Sequence, residues 1–435
     1  MKSVALHNLG CKVNGYEMDV MQQTLQEKGY KIVSFDEAAD IYIVNTCTVT
    51  NIADRKSRQM LHRAKKLNPD AIVVAVGCYV QTGEDAVKKD SAIDLAIGNN
   101  RKKDLVSILE DYLNDRECAK TVIDINHTDE YEEMTLTRTA EHTRAYIKIQ
   151  DGCNQFCSYC IIPYARGRVR SRREEDILHE VQGIVNAGYQ EIVLTGIHIS
   201  SYGMDRGGLE LLTLLTKLHD IDGLMRIRIG SLEPRIVTEE FIAKISAMPK
   251  ICPHFHLSLQ SGCDTVLHRM NRRYTSGEYF RTTEIIRKYY PNPAITTDVI
   301  VGFPGETEEE FRITEQFVRS VNFYEMHIFK YSKRMGTRAA EMSGQLTEAE
   351  KGRRSAILAE AERQMSHEYR TSCIGCEAEV LFEEKKEKDG KVFWVGHTPQ
   401  YVKAAKETDP TQNLANQLVK GTIAGFLEED IMILK

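Results

Sequence analysis

Over residues 1–115 short apolar runs alternate with amphipathic ones. SVALHNL reads as a strand, and Met18, Met21 and Leu25 then recur at helical spacing in a segment that ends before Gly29. IYIVNTC is a second strand, a polar helix runs from about Asn51 to Leu67, AIVVAVGC is a third strand, and LAIG precedes a helix near Lys103 to Leu113. This alternation predicts a doubly wound parallel sheet covered by helices. Residues 116–142, rich in Glu, Asp and Thr, read as a linker with some ordered structure. From 143 to 370 the strands AYIKIQDG, EIVLTG, MRIRIGS, HFHLSL, AITTDVIVGF and FYEMHIFKYS recur with helical patterns between them, which predicts a partial (β/α)6 barrel. A long helical pattern from Thr347 to about Arg370 leads into residues 371–435, where AEVLFEE, VFWVGHT, YVKAA, LVKGTIAGF and IMILK suggest a small all-β barrel. The predicted class is α/β with an all-β C-terminal unit.

Length fits this division, because 435 residues exceed a single ordinary core. A hydrophobic share of 42% and a charged share of 28% belong to a globular chain. The longest apolar run, Ala71 to Val80, is far short of a membrane span, and the N-terminus lacks the basic start and apolar core of a signal peptide. A cytoplasmic location is expected. Eleven cysteines in such a chain point to metal binding or catalysis before disulfides. The net charge of −6 gives no global sign of nucleic-acid binding, so any such contact must be local.

Cys153, Cys157 and Cys160 give the spacing C-x3-C-x2-C with no fourth cysteine close behind. Iron–sulfur clusters normally take four thiolates, so three leave one iron open to a small molecule. Zinc sites prefer paired C-x2-C elements and a fourth ligand. In this form the run resembles the signature of the radical S-adenosylmethionine (SAM) enzymes, in which the open iron chelates SAM. Cys11, Cys47 and Cys78 each follow a predicted strand, at the carboxyl edge where doubly wound sheets bind ligands. They either converge there or are three separate core cysteines. In the second unit the cysteine loop, Thr195 and Gly196, Ser231 to Glu233, Gln260 and Gly302 to Gly305 also follow strand ends and would face one cavity, although each can equally be a turn. Cys118, Cys252, Cys263 and the pair Cys373 and Cys376 read as structural.

NLGCKVNGYE, VNTCTVT, VAVGCYVQ, the C-x3-C-x2-C loop, HLSLQSGCDTVLHRMNRRYT and TDVIVGFPGET, in that order, resemble the methylthiotransferases over nearly the whole chain. The resemblance implies two 4Fe–4S clusters, one on Cys153, Cys157 and Cys160 with SAM, and an auxiliary one on Cys11, Cys47 and Cys78. Tyr159 would lie near the SAM adenine, with Thr195, Gly196, Glu233, Gln260 and Gly302 as candidates for binding SAM or the target base. LGCKVN, where isopentenyladenosine enzymes typically carry GCQMN, resembles the branch that methylthiolates C2 of N6-threonylcarbamoyladenosine at position 37 of tRNA. That C2–H bond is neither acidic nor electrophilic enough for acid–base chemistry, and a radical is the way in. Isopentenyladenosine or a ribosomal-protein aspartate is the alternative acceptor, and a non-catalytic iron–sulfur RNA-binding protein is the alternative of another class. Implied partners are the tRNA anticodon stem-loop and a reductant protein such as a flavodoxin, with the sulfur source open.

For RNA contact the run YARGRVRSRR offers Arg166, Arg168, Arg170, Arg172 and Arg173, whose planar forks suit phosphates, and Arg269, Arg272 and Arg273 extend it. Arg55, Lys56, Arg58, Arg63, Lys65 and Lys66 read equally as a solvated helix face. Residues 371–435 resemble the TRAM module of the family, yet they hold no arginine, so RNA contact there would fall to shape, to aromatics such as Trp394 and Tyr401, or to a one-sided distribution of lysines.

Overall fold

The computed structural model describes residues 2–115, 121–138 and 143–435. In the first unit β1 (Ser3–Asn8), α1 (Lys12–Glu27), β2 (Lys31–Val33), β3 (Ile41–Thr46), α2 (Asn51–Leu67), β4 (Ile72–Gly77), α3 (Cys78–Thr82) and β5 (Leu95–Ile97) form a parallel sheet in the order β2-β1-β3-β4-β5. β3 and β4 are buried at every position, because Ile41, Ile43, Val74 and Val76 pack on one face while Tyr42, Val44, Val73 and Ala75 pack on the other. α2 begins at Thr50, whose hydroxyl accepts from the Ala53 N–H, and it buries Leu61 and Ala64 while its basic residues turn out.

Residues 121–138 are an ordered strap between the units. The Gly98 N–H donates to the Thr121 carbonyl and the Gln81 amide to the Ile123 carbonyl (2.8 Å). Farther on, the Tyr131 hydroxyl donates to the Lys148 carbonyl (3.0 Å) and the Leu136 N–H to Glu180. The remainder of the expected linker, including Cys118, lies outside the described residues.

The second unit holds β6 (Arg144–Asp151), β7 (Arg170–Ser171), β8 (Glu191–Gly196), β9 (Arg226–Ile229), β10 (His254–His256), β11 (Ala294–Val301) and β12 (Glu325–Lys330). β6, β8 and β9 pair in parallel, as do β10, β11 and β12. The parallel bridges Ile227–Ile251 and Leu232–Leu257 join the two sets into a half-barrel, with β7 as a short antiparallel partner of β6. All the expected strands are present. HFHLSL is regular only over His254–His256, after which Gln260 takes up left-handed backbone (φ 70°) and bonds across to β11. The crossover from β10 to β11 carries a helix, Ser276–Tyr289, which Thr275 and Glu278 start with a capping box.

Alternation along these strands divides the half-barrel. Ile147, Ile149, Ile192, Leu194 and Ile227 pack outward with the helices. The intervening Lys148, Gln150, Thr195, Arg228, His256 and Asp298 turn inward, which makes the lumen polar.

The helix Glu348–Ser372 leads to β13 (Glu377–Lys388), β14 (Lys391–His397), β15 (Lys403–Thr408), β16 (Leu418–Glu428) and β17 (Ile431–Leu434), a closed barrel in the order β13-β14-β15-β17-β16. Val380, Phe382, Trp394, Ala404 and Met432 fill it, joined by Tyr324 from the half-barrel. Arg226 donates to the His397 carbonyl (3.0 Å) and Arg228 to the Pro399 carbonyl (2.9 Å), seating this barrel against the lumen. Of the two aromatics expected to meet RNA, Trp394 belongs to the core of this barrel, whereas Tyr401 stands at the lumen, on the wall of its cavity. Trp394 is only 5% exposed, with its indole N–H on the Gln412 carbonyl, and Tyr401 stacks on His397 with its ring centroid 4.4 Å away. Among the described residues no helix is long and apolar enough to cross a membrane.

Candidate active site

Each N-terminal cysteine stands at a strand's carboxyl end. Cys11 caps α1, Cys47 follows β3, and Cys78 opens α3 directly after β4. The turn into Cys78 requires glycine, because Gly77 has φ 97° and a β-carbon there would meet Asn45 Oδ1 at 2.7 Å. The three do converge. A β-carbon on Gly10 would lie 3.2 Å from Cys47 Sγ, and Cys11, Cys47 and Cys78 fall within electrostatic reach of one another. Ser57 pins the middle one, accepting from the Cys47 N–H (3.2 Å) and donating to its carbonyl (3.0 Å). Asn99 donates to Cys78 Sγ at 3.4 Å.

The second trio follows β6. Gly152 turns the chain at φ 71°, where a β-carbon would fall 1.8 Å from the Arg168 carbonyl oxygen, so only glycine fits. The Cys153 N–H donates to the Gly167 carbonyl (3.0 Å), the Ser158 N–H to the Met270 carbonyl (3.0 Å), and the Asn271 amide to the Phe156 carbonyl (3.0 Å). These bonds hold the loop from both sides. Tyr159 is half-buried and edge-on to Phe303. Arg272 donates from Nη1 to Cys157 Sγ at 3.2 Å and from Nε to the Tyr274 hydroxyl at 3.1 Å.

Burial pushes the thiols of Cys47 and Cys153 up to about 11 and that of Cys160 up to about 12. Metal-free, these groups are neutral thiols, and cluster binding must displace their protons. Amide and guanidinium N–H groups aimed at sulfur, as at Cys78 and Cys157, suit thiolates bearing the negative charge of an iron–sulfur cluster. The donor sets fit such a group.

A buried ionic core joins the two trios. Glu17 of α1 accepts from Lys102, Lys148 (2.7 Å) and Arg166 (3.0 Å), and Asp151 at the end of β6 pairs with Lys148 (2.7 Å) and Arg166 (3.1 Å). Burial alone would raise both carboxyl groups, but the surrounding cations hold Glu17 and Asp151 well below the usual carboxylate range. Arg166 also donates to Asn14 Oδ1 (2.5 Å), while the Asn14 amide donates to the carbonyls of Leu9 (2.6 Å) and Thr46 (3.1 Å). Asn99 makes a parallel link, from Cys78 to the Ala165 carbonyl (2.7 Å).

This core overturns most of the expected RNA patch. Arg166, Arg170 and Arg172 are at most 1% exposed. Arg172 pairs with Glu180 and Glu133, and Arg170 donates to the Arg166 carbonyl (3.0 Å). Arg168 is half-buried over the Phe156 ring, and only Arg173 is exposed, paired with Asp176 (2.7 Å). Of the expected extension, Arg269 pairs with Glu310 (2.7 Å), Arg272 serves Cys157, and Arg273 is exposed. The exposed basic face is instead that of α2, with Arg55, Lys56, Arg58, Arg63 and Lys66 in solvent.

A cavity of about 510 Å³ opens between the first turn of α1 and the lumen, with Cys11, Lys12, Thr195, Gly196, Asp298 and His327 among its walls. Thr195 and Gly196 therefore lie where expected, at the cavity. Glu233 accepts from Arg235 (3.0 Å) and from the Gln155 amide of the cysteine loop (3.2 Å), and the His198 imidazole lies 3.3 Å from it. Burial would raise its carboxyl, but His198 and Arg235 hold it at about 2. Gln260 acts through its backbone bonds to β11. Gly302 sits in a turn packed on Lys351, its N–H bonded to Glu306.

The sequence reading missed Lys12, His256, Asp298 and His327. Asp298 hydrogen-bonds His327 (3.1 Å) and pairs with His256 (3.2 Å), and His256 is oriented by the Thr296 hydroxyl (3.0 Å). A signal existed in the polar alternation of RIR, HFH and TTD, which marks a wet lumen.

Comparison with known proteins agrees with this arrangement. Residues 147–318 match the radical SAM superfamily and residues 3–98 the uncharacterized protein family UPF0004. The threonylcarbamoyladenosine tRNA methylthiotransferase MtaB of Bacillus subtilis is 40% identical over 98% of this chain and 95% of its own. The protein of the same name from Aquifex aeolicus is 42% identical over 87% of this chain and 92% of its own. A tRNA-2-methylthio-N(6)-dimethylallyladenosine synthase of Moorella thermoacetica is 36% identical over 88% of this chain and 87% of its own. Among solved structures, the radical SAM methyltransferase TsrM of Kitasatospora setae shares the fold, with a TM-score of 0.57 at 14% identity over 90% of this chain and 79% of that one.

Proposed function

The chain belongs to the radical SAM methylthiotransferase family, and from that membership we propose that it converts N6-threonylcarbamoyladenosine at position 37 of tRNA to its 2-methylthio derivative. Cys153, Cys157 and Cys160 would hold the SAM-binding 4Fe–4S cluster, and Cys11, Cys47 and Cys78 the auxiliary one. With two molecules of SAM, these clusters would supply the chemistry: one SAM the radical that opens the inert C2–H bond, the auxiliary cluster the sulfur, and the second SAM the methyl. The observation that carries the reading is the juxtaposition of two cysteine trios tied together by Arg166–Asn14 and by Asn99, with one cavity beside Cys11.

The chain's own part is to bind, orient and shield. The Glu17 core fixes the spacing of the two cysteine loops, and Arg272 places positive charge on the Cys157 sulfur. The lumen receives the modified base, and the α2 face meets phosphates of the anticodon stem. Such an enzyme works in the cytoplasm and draws electrons from a reductant protein such as a flavodoxin.

Two measurements test this. Anaerobically reconstituted protein is expected to hold about eight irons, falling to about four when Cys11, Cys47 and Cys78 become alanine. With SAM and a reductant, mass spectrometry of stem-loops bearing threonylcarbamoyl or dimethylallyl adenosine should show methylthiolation of the former. Exclusive modification of the dimethylallyl substrate would replace this reading with the related one carried by the Moorella protein's name.

A further inference from the structure

The charge balance of the cavity leaves one group unmatched. Lys12, the first residue of α1, is exposed at the cavity wall directly after Cys11, and among the described residues its ammonium has no hydrogen bond or ion pair with the protein. The other cations nearby are engaged. Lys102 and Lys148 are held by Glu17, Arg226 and Arg228 by Glu191, and Arg144 by Glu383 (3.2 Å). The two carboxylates on the wall are engaged as well. Asp298 is bracketed by His256 and His327, and Glu325 pairs with Arg370 (3.1 Å). The His256, Asp298 and His327 ligand atoms lie within 4.8 Å of one another, but both Asp298 oxygens are on imidazoles, so the trio is a wall of this cavity and no separate cation site.

We propose that Lys12 is the specificity residue for the N6 substituent, its ammonium pairing with the carboxylate of the threonylcarbamoyl group, with the imidazole of His327 lining the same cavity. The inference rests on the function proposed above and names how that substrate is told from its relatives. An amino-acid carbamoyl group carries a negative charge, whereas a dimethylallyl group is apolar. A cavity whose carboxylates are satisfied and whose wall carries a solvated cation with no protein partner attracts the first and gains nothing from that cation with the second. The position of Lys12 next to Cys11 places substituent recognition beside the cysteine that opens onto the same cavity.

The test uses reconstituted full-length protein, wild type and the Lys12→Gln and Lys12→Arg variants, compared at equal iron content. Affinity is measured by fluorescence anisotropy for an anticodon stem-loop bearing threonylcarbamoyladenosine, for the same stem-loop with its carboxylate as methyl ester, and for the dimethylallyl stem-loop. Wild type is expected to prefer the free acid over the ester by about tenfold or more. In Lys12→Gln that ratio falls to near one, and Lys12→Arg restores much of it. An acid-over-ester preference undiminished in Lys12→Gln overturns the role of Lys12 while leaving the substrate intact. A wild type that prefers the dimethylallyl stem-loop overturns the functional reading itself, and the inference with it.

Discussion

Single side chains set the local charge of this site, and their effects are separable. Arg272 is the cation on Cys157 sulfur. A positive charge there favours the more negative, reduced state of a bound cluster, so Arg272→Met is expected to make it harder to reduce, read as a lower midpoint in an EPR-monitored titration. Glu310 shows the stability side. Hydrogen bonds from Arg269 hold its carboxyl at about 2. A depressed carboxyl contributes stability above its unfolded value, lost as pH falls from about 4.5 to 2, and solvent screening keeps that contribution small. Glu310→Gln should therefore lower the thermal midpoint at pH 7 and differ much less from wild type at pH 3. His327 runs the other way. Its hydrogen bond to Asp298 outweighs burial and raises its pKa, with Glu325 adding to the rise and Lys12 opposing it. The protonated form is present below the ordinary value near 6.5 and is lost as pH rises through the raised one. Affinity for a carboxylate-bearing substrate should thus decline above neutrality, and His327→Gln should flatten that decline.

At the scale of elements, α2 and the segment after Cys160 exchange the roles their sequences suggest. Both are arginine-rich, but α2 exposes its charges on one face while the other segment threads between two units and buries them against Glu17, Asp151 and Glu180. Replacing Arg55, Lys56 and Arg58 by glutamine should weaken tRNA binding and make the slope of log affinity against log salt shallower by about two units, with folding intact. Arg172→Gln should act on stability, since it leaves buried Glu180 without its cation, a loss of roughly 3–5 kcal/mol. A lowered thermal midpoint with an unchanged salt slope would bear out the assignment; the reverse result would return Arg172 to the RNA surface. A charge run carries no information about its own burial. The acids that bury this one lie from 8 to 149 residues away in the chain.

Across the whole molecule, alternation was enough to read the parallel sheet, the six strands of the half-barrel and the closed C-terminal barrel, because a pattern of buried and exposed positions is a local property of each strand. Cysteine spacing likewise announced the loop at Cys153 to Cys160, where the ligating residues are sequence neighbours. Cys11, Cys47 and Cys78 were legible as strand ends, but a shared carboxyl edge left convergence and three separate core positions both open, and only the family resemblance pointed to a common cluster. What no local pattern contained was how the units meet. The Glu17 core draws residues from α1, the segment before the strap, β6 and the segment after Cys160, and the Lys12 cavity needs the first turn of α1 set against β8, β11 and β12. Burying several charges in one place is favourable only when every partner arrives together, so such a core is decided by tertiary assembly and not by any single stretch of chain.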